Sequence, residues 1–204
     1  MTLWAILPVK PLRSGKSRLS KVLSEEERAA LNQNLLQNSL KVLASLELID
    51  TILVVSRDPA VLTIARDYGA KTVLENGNPE LNTALKRASL VAQTYLAQEI
   101  MVIPADLPLL CKEDLTTFLS HSGKPPEILI APDRRKDGTN CLYLNPAGLI
   151  QFSYGPGSFQ KHIELGKKVN AHTEIIEMES LGLDLDLPED LEILKSVTQK
   201  SSHF

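Results

Sequence analysis

The sequence predicts one three-layer α/β domain with a mostly parallel, mixed sheet, and three observations predict it. Short continuous apolar runs recur at 3–9, 51–56, 99–103 and 128–131, each flanked by Pro, Asp or Lys. Amphipathic stretches with helix-start signals lie between them, so strand and helix alternate. The chain has 204 residues, 43% of them hydrophobic, enough for a single sizeable core.

The apolar runs are too short for helices of ordinary length and carry no polar alternation, which marks strands buried on both faces. The first helix begins at Ser24, where Ser24 and Glu27 have the S-x-x-E spacing of a capping box, and Leu31, Leu35 and Val42 then form an apolar stripe. A second helix starts at Asp58 with Pro59 in its first turn and stops before Gly69. A third spans about 79–96. Right-handed crossovers between parallel strands place helices on both faces, and ligands in such folds sit beyond the carboxyl ends of the strands. The loops after Val9, Ile103 and Ala131 are therefore the ones to inspect. The domain is expected to span 1–198, with 199–204 as a frayed tail.

A net charge of −3 argues against a protein built to coat nucleic acid or an anionic membrane. Cys111 and Cys141 stand thirty residues apart with no Cys or His at ligand spacing, against both a disulfide framework and a zinc site. The opening apolar run is too short to cross a bilayer and has no basic leader, so the expectation is a cytoplasmic protein.

The loop Lys10-Pro11-Leu12-Arg13-Ser14-Gly15-Lys16-Ser17-Arg18-Leu19 leaves the first strand with four cations around one glycine. Gly15 lets backbone approach an anion, and the Lys and Arg ends neutralise phosphate oxygens. Gly15-Lys16-Ser17 also looks like the end of a P-loop, but that motif needs a glycine where Lys10 stands and a helix opening at the Gly-Lys, whereas the helix signal comes at Ser24.

After the 99–103 strand, Asp106 lies between Pro104 and Pro108. The prolines stiffen the turn, and a carboxylate fixed at a strand's carboxyl end suits a hard cation such as Mg²⁺. A second acidic stretch, Leu183-Asp184-Leu185-Asp186-Leu187-Pro188, alternates at period two. On extended backbone both aspartates project from one face and repel unless a cation sits between them. Asp186 or a neighbour is also expected to cap a helix starting at Pro188. Gly138-Thr139-Asn140 and Gly155-Pro156-Gly157-Ser158 add a hydroxyl and a glycine-rich turn at a helix start, both suited to an anion.

In order and spacing, the stretches 7–12, 16–19, 81–85, 104–108, 138–140, 155–159 and 184–190 resemble the 2-phospho-L-lactate / phosphoenolpyruvate guanylyltransferase family of coenzyme F-420 biosynthesis, over nearly the whole chain. Cys141 departs mildly, standing where a small apolar residue is expected. The resemblance implies a glycosyltransferase-A-like (nucleotide-diphospho-sugar transferase type) nucleotidyltransferase that moves GMP from GTP to a small phosphorylated carboxylic acid, with Mg²⁺ as cofactor. It places Lys10 and Lys16 on the nucleotide phosphates, beside Ser14 and Gly15 of the same loop, with Asn82 near the nucleotide. It assigns Asp106, Asp184 and Asp186 to the metal, with Lys16 and Asp106 as the catalytic pair. Thr139, Gly155 and Ser158 fall to the phospho-acid. A homodimer is allowed, and no nucleic acid or membrane partner is expected.

Transfer by such an enzyme requires no protein base, because a phosphate monoester with a second pKa near ~6 is already largely dianionic at neutral pH. None of His121, His162, His172 and His203 shares a motif with the acidic or basic loops, and none is assigned to the chemistry. Other small-molecule nucleotidyltransferases of the same fold, of molybdopterin or sugar-phosphate type, are the nearest alternatives, and a P-loop-like NTPase is a more distant one.

Overall fold

A computed structural model of the chain describes residues 2–77 and 79–201. Seven strands, β1 (Leu3–Pro8), β2 (Thr51–Ser56), β3 (Lys71–Leu74), β4 (Glu99–Val102), β5 (Glu127–Pro132), β6 (Thr139–Asn145) and β7 (His172–Ile175), form one sheet in the order β3-β2-β1-β4-β6-β5-β7. Only β6 runs against the others, pairing antiparallel with both β4 and β5. The carboxyl ends of the other six strands and the start of β6 therefore share one edge of the sheet.

Alternation along β1 builds two cores. Leu3, Ala5 and Leu7 face α1 (Glu25–Ala44), α2 (Pro59–Asp67) and α4 (Lys112–Ser120), where they meet Leu36, Leu40, Val61 and Phe118. Trp4 and Ile6 face the other way, against Ala84, Leu85 and Ala88 of α3 (Leu81–Thr94), and Ile163 of α5 (Ser158–Lys168) packs on the same layer. The expected capping box is present: Ser24 Oγ accepts from Glu27 N–H at 3.2 Å while Glu27 Oε2 accepts from Ser24 N–H at 2.7 Å. The third helix is shorter than expected at both ends; its start is set by the Glu80 carboxylate, which caps it by accepting from the N–H groups of Asn82 and Thr83.

The remaining helices are α6 (Glu179–Gly182) and α7 (Pro188–Ser201). The stretch expected as a tail begins at 199; α7 carries through Ser201, and 202–204 lie outside the described residues. Among the described residues no helix is long and apolar enough to cross a membrane, and Cys111 and Cys141 are free thiols.

A third, small cluster positions the site. Leu19, Leu35 and Leu185 are buried together, joining the end of the basic loop, α1 and the acidic segment, with Leu191 and Leu194 of α7 packed against them. Burying a leucine contributes about 1.5–3 kcal/mol. Leu183 and Leu185, both buried, thus hold the acidic strap with an energy of the same order as the repulsion between two carboxylates a few ångströms apart, about 4 kcal/mol at an effective dielectric near 20.

Candidate active site

The basic loop is pinned from three sides. Ser14 and Gly15 N–H groups both donate to Pro11 O, at 3.2 and 3.0 Å. Asp58, the N-cap of α2, accepts Leu12 N–H at 3.0 Å while its other oxygen holds Ala60 N–H. Asn32 of α1 donates to Leu12 O at 2.7 Å. Lys16 then takes a left-handed backbone, φ 56° and ψ 40°, at a cost of about 1–3 kcal/mol for a residue with a Cβ. Its side chain runs inward and is only 4% exposed. Nζ donates to Leu185 O at 2.6 Å and stands 3.8 Å from Asp106 Oδ2, an ion pair too long for a hydrogen bond.

Close packing makes Gly15 obligatory. A Cβ there would lie 2.7 Å from Asn32 Nδ2, and Asn32 cannot swing aside without releasing Leu12 O. Gly15→Ala is expected to cost about 1–3 kcal/mol of stability, the usual range for overpacking, and to weaken nucleotide binding. Thermal melts and the KM for nucleotide check this.

The acidic strap reaches the same place. Leu185 N–H donates to Asp106 O at 3.1 Å, so the two acidic segments are stitched through their backbones. The helix entry is closed by Asp190 rather than by Asp186. One Asp190 oxygen accepts from Asp186 N–H and Leu187 N–H at 3.0 and 2.7 Å, and the other takes Arg134 and Arg135 at 3.0 and 3.3 Å. From β6, Asn140 supports the segment by donating to Leu181 O at 2.8 Å.

Electrostatics here are unfavourable by construction. Burial pushes the Asp106 carboxyl above its ordinary range and the Asp186 charge pushes the same way, while Lys16 pulls it down. Asp106 Oδ1 is buried with no partner among the described residues. Burial, then the charge of Asp106, raises Asp184 to about 6. An orphaned oxygen among three crowded carboxylates fits an oxygen-seeking cation. Among the described residues no group of three acidic, His or Cys side chains is arranged to hold a metal ion by itself.

A raised acid holds its proton in the folded state but loses it in the unfolded chain, so its favourable contribution is present below pH 3.8 and disappears as pH rises through about 6. Metal-free Asp184→Asn is therefore expected to gain stability relative to the parent as pH climbs from 4 to 7, by a few degrees in Tm, and to be stabilised less by added Mg²⁺. Paired melts across that range test it.

These groups line one cleft of about 350 Å³ at the shared sheet edge, which contains Lys10, Gly15, Lys16, Asp106 and Asp186. Asp184 neighbours the same carboxylates. Other expected residues sit outside the lining. The Ser14 hydroxyl is turned to Pro11 O at 3.4 Å, and Asn82 is bound on both sides of its amide to the backbone of Tyr154, accepting at 2.7 Å and donating at 3.2 Å. Asn82 thus ties α3 to the glycine-rich turn. In that turn, the N–H groups of Gly157, Ser158 and Phe159 are taken by Asp137 and Gly155 O.

Thr139 is buried at the start of β6. The β4–β6 register pairs Val102 with Leu142, so Thr139, three residues earlier on the antiparallel β6, lies toward the carboxyl end of β4. Behind Thr139 stands His162, which the sequence left without a role. Ser153 N–H donates to His162 Nε2 at 3.1 Å, so Nε2 is unprotonated and Nδ1–H donates to Thr139 Oγ1 at 2.9 Å. Burial holds the ring neutral, down to about 4. The Thr139 hydroxyl proton is left to donate elsewhere.

Arg57 and Glu75 also line the cleft and were missed in the sequence. For Arg57 the signal was available, because Ser56-Arg57-Asp58 follow β2 at the same carboxyl edge as the loops after β1 and β4; Glu75 follows β3, a strand with no apolar run to mark it.

Comparison with known proteins places this architecture. A family model described as guanylyl transferase CofC like matches residues 3–203. The chain is 39% identical to a phosphoenolpyruvate guanylyltransferase of Rubrobacter xylanophilus over 196 residues, 96% of this chain and 95% of that one. It is 38% identical to a 2-phospho-L-lactate guanylyltransferase of Methanocaldococcus jannaschii, over 91% of this chain and 79% of that one. Two solved structures share the fold. One is described as a nucleotide-diphospho-sugar transferase, from Desulfovibrio desulfuricans G20, at 17% identity and a TM-score of 0.76, covering 95% of this chain and 87% of the other. The second is a nucleotidyl transferase from a Methanothermobacter species, at 13% identity and a TM-score of 0.70, covering 98% and 99%.

Proposed function

Because the chain belongs to the guanylyl transferase CofC-like family, we propose that it transfers GMP from GTP to the phosphate of a small phospho-acid, phosphoenolpyruvate or 2-phospho-L-lactate, releasing diphosphate in coenzyme F-420 biosynthesis. The observation that supports this most is the single cleft joining a strapped basic loop to carboxylates from two distant segments.

In this reading Lys10, Lys16 and the Gly15 backbone hold the triphosphate, and Asp106, Asp184 and Asp186 hold a divalent cation, Mg²⁺ by preference for oxygen donors. When bound, the cation neutralises phosphate oxygens and so offsets the repulsion between two anions. An acceptor phosphate oxygen attacks the α-phosphorus in line. Its P–O bond forms as the bond to the β-phosphate oxygen breaks, and diphosphate leaves. No side chain needs to remove a proton, because the acceptor arrives largely dianionic. Thr139, oriented by His162, donates to the acid, and Gly155 and Ser158, in the turn leading into α5, are assigned to the same ligand.

Diphosphate release with GTP and Mg²⁺, assayed with phosphoenolpyruvate, 2-phospho-L-lactate and 3-phosphoglycerate in turn, tests the reading. Acceptor-dependent diphosphate supports it. Acceptor-independent release of inorganic phosphate would overturn it in favour of a nucleotide hydrolase.

A further inference from the structure

We infer that Arg57 and Glu75 read the nucleotide base, and that Glu75 selects guanine. This rests on the guanylyl-transfer reading and names the part of the cleft that would choose the base.

The cleft does not end at the cations. It continues along the carboxyl edge to the loops after β2 and β3, where Arg57 and Glu75 face it between the apolar walls of Val55, Pro79 and Leu81. With strands ordered β3-β2-β1-β4 and spaced about 4.8 Å, the gap between the β2/β3 loops and Asp106 after β4 is roughly 12 Å. That is the scale of a nucleoside monophosphate laid along the edge, α-phosphate at the cation end and base at the other.

The polar groups at that end are incompletely used. Arg57 contacts Gly77 O at 2.9 Å and Glu75 Oε1 at a weak 3.5 Å through one terminal nitrogen, while its Nε is buried with no partner among the described residues. The Glu75 side chain is 15% exposed. Glu80 is not an equivalent reader, because its carboxylate is committed to the cap of α3. A guanidinium beside a carboxylate, both lining the cleft between apolar walls, matches a planar base that carries both an acceptor and paired donors. Guanine presents N1–H and the 2-amino group side by side, which a carboxylate accepts together, and O6 for an arginine. Adenine offers a lone pair at N1, which a carboxylate repels.

The test compares GTP, ITP, which lacks only the 2-amino group, and ATP, by kcat/KM with a phospho-acid acceptor and by equilibrium binding with Mg²⁺. The parent protein is expected to favour GTP over ITP by about 10- to 100-fold, the range for a hydrogen bond to a charged group. Glu75→Ala should bring that ratio toward one. Arg57→Gln should weaken GTP and ITP alike and keep the ratio, since both carry O6. A ratio does not depend on the fraction of folded protein. Retention of the GTP preference in Glu75→Ala, or its absence in the parent, would overturn the inference. GTP-selective binding without product would instead sink the transfer reaction and leave the base reader standing.

Discussion

Asp106→Asn is expected to lower guanylyl transfer by on the order of 10³-fold, the scale seen when one preorganised electrostatic group is removed from a transition state. The amide has the shape of the carboxylate but neither its charge nor its full acceptor capacity. The fold should survive, because burial and Asp186 already disfavour the charge at this position, and the strap is held through Asp106 O, a backbone atom the substitution keeps. Metal-free Asp106→Asn should therefore melt at or above the parent temperature at pH 7.5. Near-normal diphosphate release by this variant at saturating Mg²⁺ would remove Asp106 from the chemistry.

Lys16→Met should damage both activity and stability, and the pH dependence separates its two roles. Loss of Nζ strands Leu185 O without its donor, at about 1–3 kcal/mol. It also removes the one ammonium at ion-pair distance from Asp106 among the described residues, so the Asp106 carboxyl rises further. Its protonation then relieves the strain, and the Tm deficit should be larger at pH 8 than at pH 5. Turnover should fall by about 10²- to 10³-fold. A deficit independent of pH would mean that the lysine acts only as a donor to the strap.

Much of this site was legible because it depends on local rules. The period-two pattern of 183–187 places Leu183 and Leu185 inside and leaves Asp184 and Asp186 half-exposed, as found. Ser24 and Glu27 announced the start of α1, and continuous apolar runs announced β1, β2, β4 and β5. The outer strands were not announced. β3 and β7 are four residues each, only half-buried, and carry no apolar run, and their residues become strands only because a neighbour supplies the ladder. The interior strand β6 was not announced either: Thr139-Asn140 read as a loop, although they open a fully buried strand between β4 and β5.

Long-range partnerships were invisible in principle. Nothing near Lys16 in sequence indicates that Leu185 O, 169 residues on, will hold its ammonium. Nothing near Thr139 points to His162, and nothing near Asp186 points to the arginines that neutralise Asp190. What the sequence alone determined was the alternation of elements and the chemical types gathered at strand ends, since hydrophobic period, caps and turn residues act within a few positions. Which of those groups share a cleft, which are spent on holding the backbone, and which face the ligand with a hydrogen-bonding capacity still open was decided by tertiary structure, because burial and pairing are properties of distance in space.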